Sequence, residues 1–236
     1  MTPQIIFTRA GFLQGARESV PLLIATVPFG LVAGIAAQGA GLSMLETILM
    51  SGIVYAGSAQ LLALSAWTHP APILAATFAA FVVNLRLALM GPVLSPWLDR
   101  LRGWRLWLSL FVMADQNWAQ SLKTMNQGGN DAAVLLGSGS AMILMWIMTN
   151  AIGHAVGAFV QPPPGHPLFF AALAIFVSML VNMWRGPRDI LPWVVAAVVA
   201  VTVAQLLPGG SWHIVGGALA GSLVGGLREH YRPAAR

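Results

Sequence analysis

An all-α, polytopic bundle of membrane helices is the fold class this sequence predicts, and three observations carry the prediction. Hydrophobic residues make up 57% of the 236 positions, charged residues only 8%, and mean hydropathy is +0.75. That balance cannot cover a soluble surface and suits chains whose solvent is lipid. The apolar residues also come in runs of membrane-crossing length, separated by Gly, Pro and Arg clusters. The net charge of +5 is scattered between those runs, whereas nucleic-acid binding needs a contiguous basic face, so no nucleic-acid partner is expected. With no cysteine there is no disulfide framework or thiolate metal site, and neither cofactor nor metal is expected.

Eight apolar or semi-apolar segments follow in order. They run roughly from Val20 to Ala37, Thr47 to Trp67, Ile73 to Leu94, Leu106 to Leu122, Ala132 to Val160, Leu168 to Trp184, Ile190 to Leu207 and Ile214 to Leu227. The first contains Pro21, Pro28 and Gly30, and an internal proline removes a backbone donor and kinks a helix. Arg9 and Arg17 before it resemble the head of a signal peptide, but the run reads as a retained span. The second is interrupted by the small and polar stretch Tyr55 to Gln60. The third carries Asn84 and Arg86 in an otherwise apolar run from Pro72 to Leu94. The fourth carries Asp115, Gln116, Asn117 and Gln120, too much polarity to face lipid. The remaining four are more uniformly apolar. No linker is long or polar enough to divide the chain, so residues 1–236 read as one integral membrane domain.

Topology follows from the placement of positive charge. Arg9 and Arg17 put the N-terminus in the cytoplasm, and Arg228, Arg232 and Arg236 put the C-terminus there too. If all eight segments cross, the loop with Arg100, Arg102 and Arg105 falls outside, against the rule. If the second and fourth segments are re-entrant or broken and return to the side they came from, that loop falls inside and six full crossings remain. The six-crossing arrangement is preferred, with eight crossings as the alternative.

An intramembrane guanidinium costs about 2.5 to 3.5 kcal/mol at a helix centre on insertion scales, so Arg86 needs a partner, water or a ligand. A structural ion pair or a snorkelling side chain competes evenly with a pathway role. Gly57 and Ser58 are read either as a distorted site lining water or as close helix packing. The fourth segment reads either as a polar lining or as an interfacial amphipathic helix with Trp104, Trp107 and Trp118 at the headgroups. Asn84 and Arg86, two apart, lie on nearly opposite helix faces, so one of them faces any given cavity. Arg86 is the expected anion contact or the partner of Asp115, and Asn84 a packing or hydrogen-bonding residue. Discontinuous helices that aim their N-termini at a midplane ligand suit a carboxylate, which draws attention to Pro28, Phe29 and Gly30.

An enzyme is the weakest class. Gly137 to Ser140 loosely resembles the glycine-flanked serine of intramembrane proteases. On one helix, however, Ser138 and His154 lie about 24 Å apart and cannot form a dyad. His154 is expected to be a buried hydrogen-bonding histidine or part of the Gly153 to Gly157 packing face.

Taken in order, these residues resemble a known family. The run Pro21 to Gly34 with Pro28, Phe29 and Gly30, the patch Ala56 to Gln60, and Asn84, Arg86, Leu89, Met90, Leu94, Pro96 and Leu98 are similar to the AzlC family. So are Asp115 near an aromatic and Trp146 with Thr149, Gly153 and Gly157. The resemblance implies the large subunit of a bacterial inner-membrane exporter of valine, leucine and isoleucine, with methionine as a further candidate. It implies a small hydrophobic partner subunit of the AzlD type and drive from the proton gradient. It also implies an Asp-Glu pair where this chain has Asp115 and Gln116, which leaves Asp115 as the sole acidic candidate for proton coupling or ion pairing. Substrate-binding candidates are then Pro28, Phe29, Gly30, Gly57, Ser58, Gln60, Asn84 and Arg86. An apolar amino acid needs three contacts. Arg86 or the helix end near Phe29 could meet the anion, Asp115 or the carbonyls of Gly57 to Gln60 the cation, and Phe29, Phe81 and Met90 the tail. The competing readings are an uncoupled channel or uniporter for small polar solutes and a membrane scaffold subunit.

Overall fold

The computed structural model describes residues 4–65, 67, 73–160, 177, 181, 184, 186–207 and 212–230. Helices α1 (Arg9–Glu18), α2 (Val20–Gly39), α3 (Met44–Val54), α4 (Gly57–Ser65) and α5 (Ile73–Met90) come first. A 3-10 turn (Gly91–Leu94) leads to α6 (Ser95–Leu98), α7 (Trp104–Phe111), α8 (Asp115–Asn126), α9 (Ala133–Gly157), α10 (Ile190–Leu206) and α11 (Trp212–His230). Among the described residues there is no β-strand, only a lone parallel bridge between Ile6 and Asp131. The sixth expected segment, 168–184, lies almost wholly outside the described residues.

Two described helices are long and apolar enough to cross a membrane, α2 with 20 residues and α9 with 25. At 1.5 Å per residue they extend about 30 and 37 Å, against a hydrocarbon core of about 30 Å. They run parallel, side by side, and small residues set how closely. A Cβ on Gly30 would lie 2.0 Å from Thr149 Oγ1, one on Gly34 2.0 Å from the Asn150 carbonyl oxygen, and one on Gly153 2.2 Å from the Leu31 carbonyl oxygen. Lipid supplies no hydrophobic drive between helices, so this backbone approach provides the packing energy. α1 continues the same seam, with Gly15 against the Val134 carbonyl and Gly137 against that of Phe12. Thr8 bonds Asp131 through both its backbone N–H and its hydroxyl, which fixes the N-terminal strap at the start of α9.

α2 passes through Pro28 as one helix. The helix end expected near Phe29 is therefore not formed, because one lost backbone bond leaves the rest of a 20-residue helix intact while α9 braces it. The discontinuities fall in the second and fourth segments instead. α3 ends at Val54 and α4 begins at Gly57, and α7 ends at Phe111 and α8 begins at Asp115. With 11, 9, 8 and 12 residues, these half-helices are about 12 to 18 Å long, so none spans a bilayer alone.

Each pair folds back on itself. In the first hairpin, Gln60 Nε2 donates to Ser51 Oγ at 3.1 Å, and Leu64 near the end packs in one cluster with Leu42 near the start. That base lies beside the far end of α9, where His154 Nε2 is 2.8 Å from the Leu42 carbonyl oxygen. In the second hairpin, Trp104 at the start stacks edge-on against Phe7, with ring centres 6.1 Å apart. The chain leaving its end bonds Ile6 N–H through the Asn130 carbonyl. That base lies beside the beginning of α9. The two hairpins therefore come from opposite ends of α9, and both tips reach its middle. α10 and α11 pack on each other, and Trp212 meets Phe78 of α5 with ring centres 5.6 Å apart.

Candidate functional site

The hairpin tips enclose a cavity of about 80 Å³. Thr26 and Phe29 of α2, Tyr55 to Ser58 of the first tip, Ala114 to Gln116 of the second, and Met142 and Trp146 of α9 line it. Two helix N-termini meet there, that of α4 at Gly57 and Ser58 and that of α8 at Asp115 and Gln116, and bring N–H groups that have no acceptor within their own helices. Non-helical backbone at such depth is tolerated where it lines a cavity. Asp115 occupies the first turn of α8, where negative charge complements the helix dipole.

The two tips are built differently. The second is capped from within. Ala114 N–H donates to Asn117 Oδ1 at 2.7 Å, and Asn117 Nδ2 donates to the Val112 carbonyl at 2.8 Å, with Asn117 completely buried. Trp118 Nε1 adds a 2.8 Å bond to the Met90 carbonyl. The first tip turns through Tyr55, whose φ of 41° is left-handed, the one such conformation outside glycine among the described residues. Its hold comes from α9: Trp146 Nε1 donates to Gln60 Oε1 at 2.7 Å, and Gln60 passes the link to Ser51. Gly57 sits beneath two rings. A Cβ there would lie 2.3 Å from Phe29 Cε1 and 2.8 Å from Trp146 Cη2, and those rings stand 5.3 Å apart.

A model of the AzlC protein family matches residues 21–160, more than half of the chain. The chain belongs to the AzlC family. The matched region ends just past α9 and so takes in both hairpins and the whole cavity lining. The chain is similar to the inner membrane protein YgaZ of Escherichia coli, at 24% identity over 99% of this chain and 97% of the relative. It is similar too to an uncharacterized membrane protein of Archaeoglobus fulgidus, at 28% identity over 92% of this chain and 95% of the relative. No solved structure matches it significantly. This is a membrane protein, and its AzlC-family character agrees with a transport-type role.

Of the residues singled out from sequence, the AzlC-family fold brings Phe29, Gly57, Ser58 and Asp115 to one cavity. Pro28 and Gly30 flank that wall, Gly30 serving the α2–α9 seam. Gln60, 2% exposed, is the brace behind the first tip. Asn84 lies elsewhere, with Phe81 in a separate apolar groove between the first hairpin and α5, and its buried Oδ1 has no hydrogen-bond partner. Arg86 belongs to α5, and its side chain lies outside the described residues. Ser138 Oγ donates to the Val134 and Leu135 carbonyls of its own helix, and His154 meets the Leu42 carbonyl, as expected of structural residues. Tyr55, Thr26 and Met142 were not anticipated as lining. The breaker pattern around 55–60 could have pointed to Tyr55, whereas nothing local marks Met142.

Proposed function

We propose that this chain is the large subunit of a two-component secondary transporter that exports branched-chain amino acids across the bacterial cytoplasmic membrane. Valine, leucine and isoleucine, with methionine as a further candidate, are its substrates, and the proton gradient drives it. The observation that carries this reading is the midlevel cavity where two half-length hairpins meet. It offers the N-terminal N–H groups of two helices, one carboxylate and an apolar wall of Phe29, Met142 and Trp146 to a solute with two opposite charges and an aliphatic tail. Family membership supports the substrate class and a small, separately encoded AzlD-type partner subunit.

Charge supports the topology. The sequence has no Lys or Arg between Arg17 and Arg86, nor between Lys123 and Arg185. The end of the bundle with the first hairpin's base therefore lacks cations, while Arg9, Arg100, Arg102 and Arg105 gather near the other base. With that end cytoplasmic, the chain makes six full crossings and two re-entrant hairpins, with both termini inside.

The test is efflux of preloaded labelled leucine from cells expressing the chain with and without the small subunit, and with and without a protonophore. Efflux that needs the partner and falls with the protonophore is expected. Leucine that does not move although the chain is folded in the membrane removes the amino acid reading. Movement indifferent to the protonophore removes the proton coupling.

A further inference from the structure

The cavity is small beside the roughly 300 to 1,000 Å³ usual for small-molecule sites. Its two tips differ in how their polar groups are paired. At the second, Asn117 satisfies the backbone of the break from inside the hairpin. At the first, the hydroxyl oxygens of Tyr55 and Ser58 are both buried, and neither has a hydrogen-bond partner among the described residues. Both residues line the cavity, Tyr55 at the left-handed turn and Ser58 at the start of α4. A buried hydroxyl without a partner is costly, and the conformation of Tyr55 adds strain, so this tip has hydrogen-bonding capacity left to offer.

We propose that the tip of the α3–α4 hairpin reads the carboxylate of the transported amino acid, with the Tyr55 and Ser58 hydroxyls donating to it. The inference takes the cavity to be the substrate site of the transporter proposed above. Donors favour this polarity. Gly57 and Ser58 open a helix whose first N–H groups have no acceptor within the helix, so an anion there meets hydroxyls and amides together. The opposite tip presents Asp115, which suits the ammonium. Phe29 and Trp146, stacked over Gly57, close the apolar side. The carboxylate contact is thus assigned to the hairpin and not to Arg86. The second tip, capped by its own asparagine, forms the opposite wall.

The test measures binding to the purified chain with its small subunit in lipid nanodiscs, for leucine and for leucinol, which keeps the ammonium and tail but replaces the carboxylate with an alcohol. Wild-type protein should prefer leucine by about tenfold or more. Tyr55→Phe and Ser58→Ala should each weaken leucine about tenfold and leave leucinol within about twofold. Both variants should also melt no lower than wild type without ligand, because each deletes a hydroxyl that has no partner in this state. That combination of undiminished stability and lost discrimination is not what a structural role gives. Unchanged discrimination in both variants, or discrimination lost only in Arg86→Gln, overturns the assignment while leaving the transporter reading intact. The same pairs are run with methionine, phenylalanine, alanine, lysine and their alcohols. If one of these binds in place of leucine and responds to the two hairpin variants, the assignment stands and the branched-chain substrate falls. Binding of no amino acid overturns both.

Discussion

Gly57 is the residue on which the site's geometry turns, since its missing side chain is the space that two rings occupy. Gly57→Ala should destabilise the protein by about 1 to 3 kcal/mol through overpacking, or displace Phe29 and close the cavity. Either way, transport is expected to be lost, and melting of the purified variant separates the two routes. Gln60 makes a different contribution. Gln60→Leu keeps much of the volume but leaves Trp146 Nε1 without its partner, while Ser51 Oγ still donates to the Thr47 carbonyl, at a cost of about 1 to 3 kcal/mol. A lower melting temperature together with altered tryptophan emission is the expected result. Sequence reasoning reached Gly57, Ser58 and Asp115 because small and polar residues interrupt apolar runs there, and Phe29 because Pro28 and Gly30 flank it. It gave Gln60 a substrate role and left Tyr55 out. Both follow from contacts with residues far along the chain, Gln60 meeting Trp146 from 86 positions away.

Among the elements, the α2–α9 seam and the α10–α11 pair make a controlled contrast in glycine. Gly153→Ala forces a methyl group into the Leu31 carbonyl and should cost several kcal/mol or prevent folding. Gly226→Ala on α11 meets nothing within 4 Å, and should be neutral or stabilising by up to about 1 kcal/mol through helix propensity. Thermal melts of both variants in the same lipid check the pair. The broken segments were legible because small and polar residues interrupt apolar runs at Tyr55 to Gln60 and from Asp115 to Gln120. Pro28 misled, because a proline reports a lost hydrogen bond and says nothing of the neighbouring helix that compensates. The parallel course of α2 and α9 was not legible, since a stripe of glycines shows that a helix packs closely without saying against what.

For the whole molecule, the absence of cysteine makes topology directly measurable. In intact cells, Arg102→Cys and Gln127→Cys, at the base of the second hairpin, should resist a membrane-impermeant thiol reagent, and Gly41→Cys, at the base of the first, should react. Labelling of position 102 from outside would restore eight crossings. The opposed hairpins also bear on how the protein is made. A half-helix of 9 or 11 residues is too short to be kept in the bilayer as a span of its own. The first hairpin is nevertheless synthesised long before α9, and its brace at Trp146 follows 86 residues after Gln60. At ribosomal rates of about 5 to 20 residues per second, that is a wait of roughly 4 to 17 s with a polar tip lacking its partner. Membrane assembly of this chain thus has a vulnerable interval, in which the first hairpin is open to misinsertion until α9 arrives.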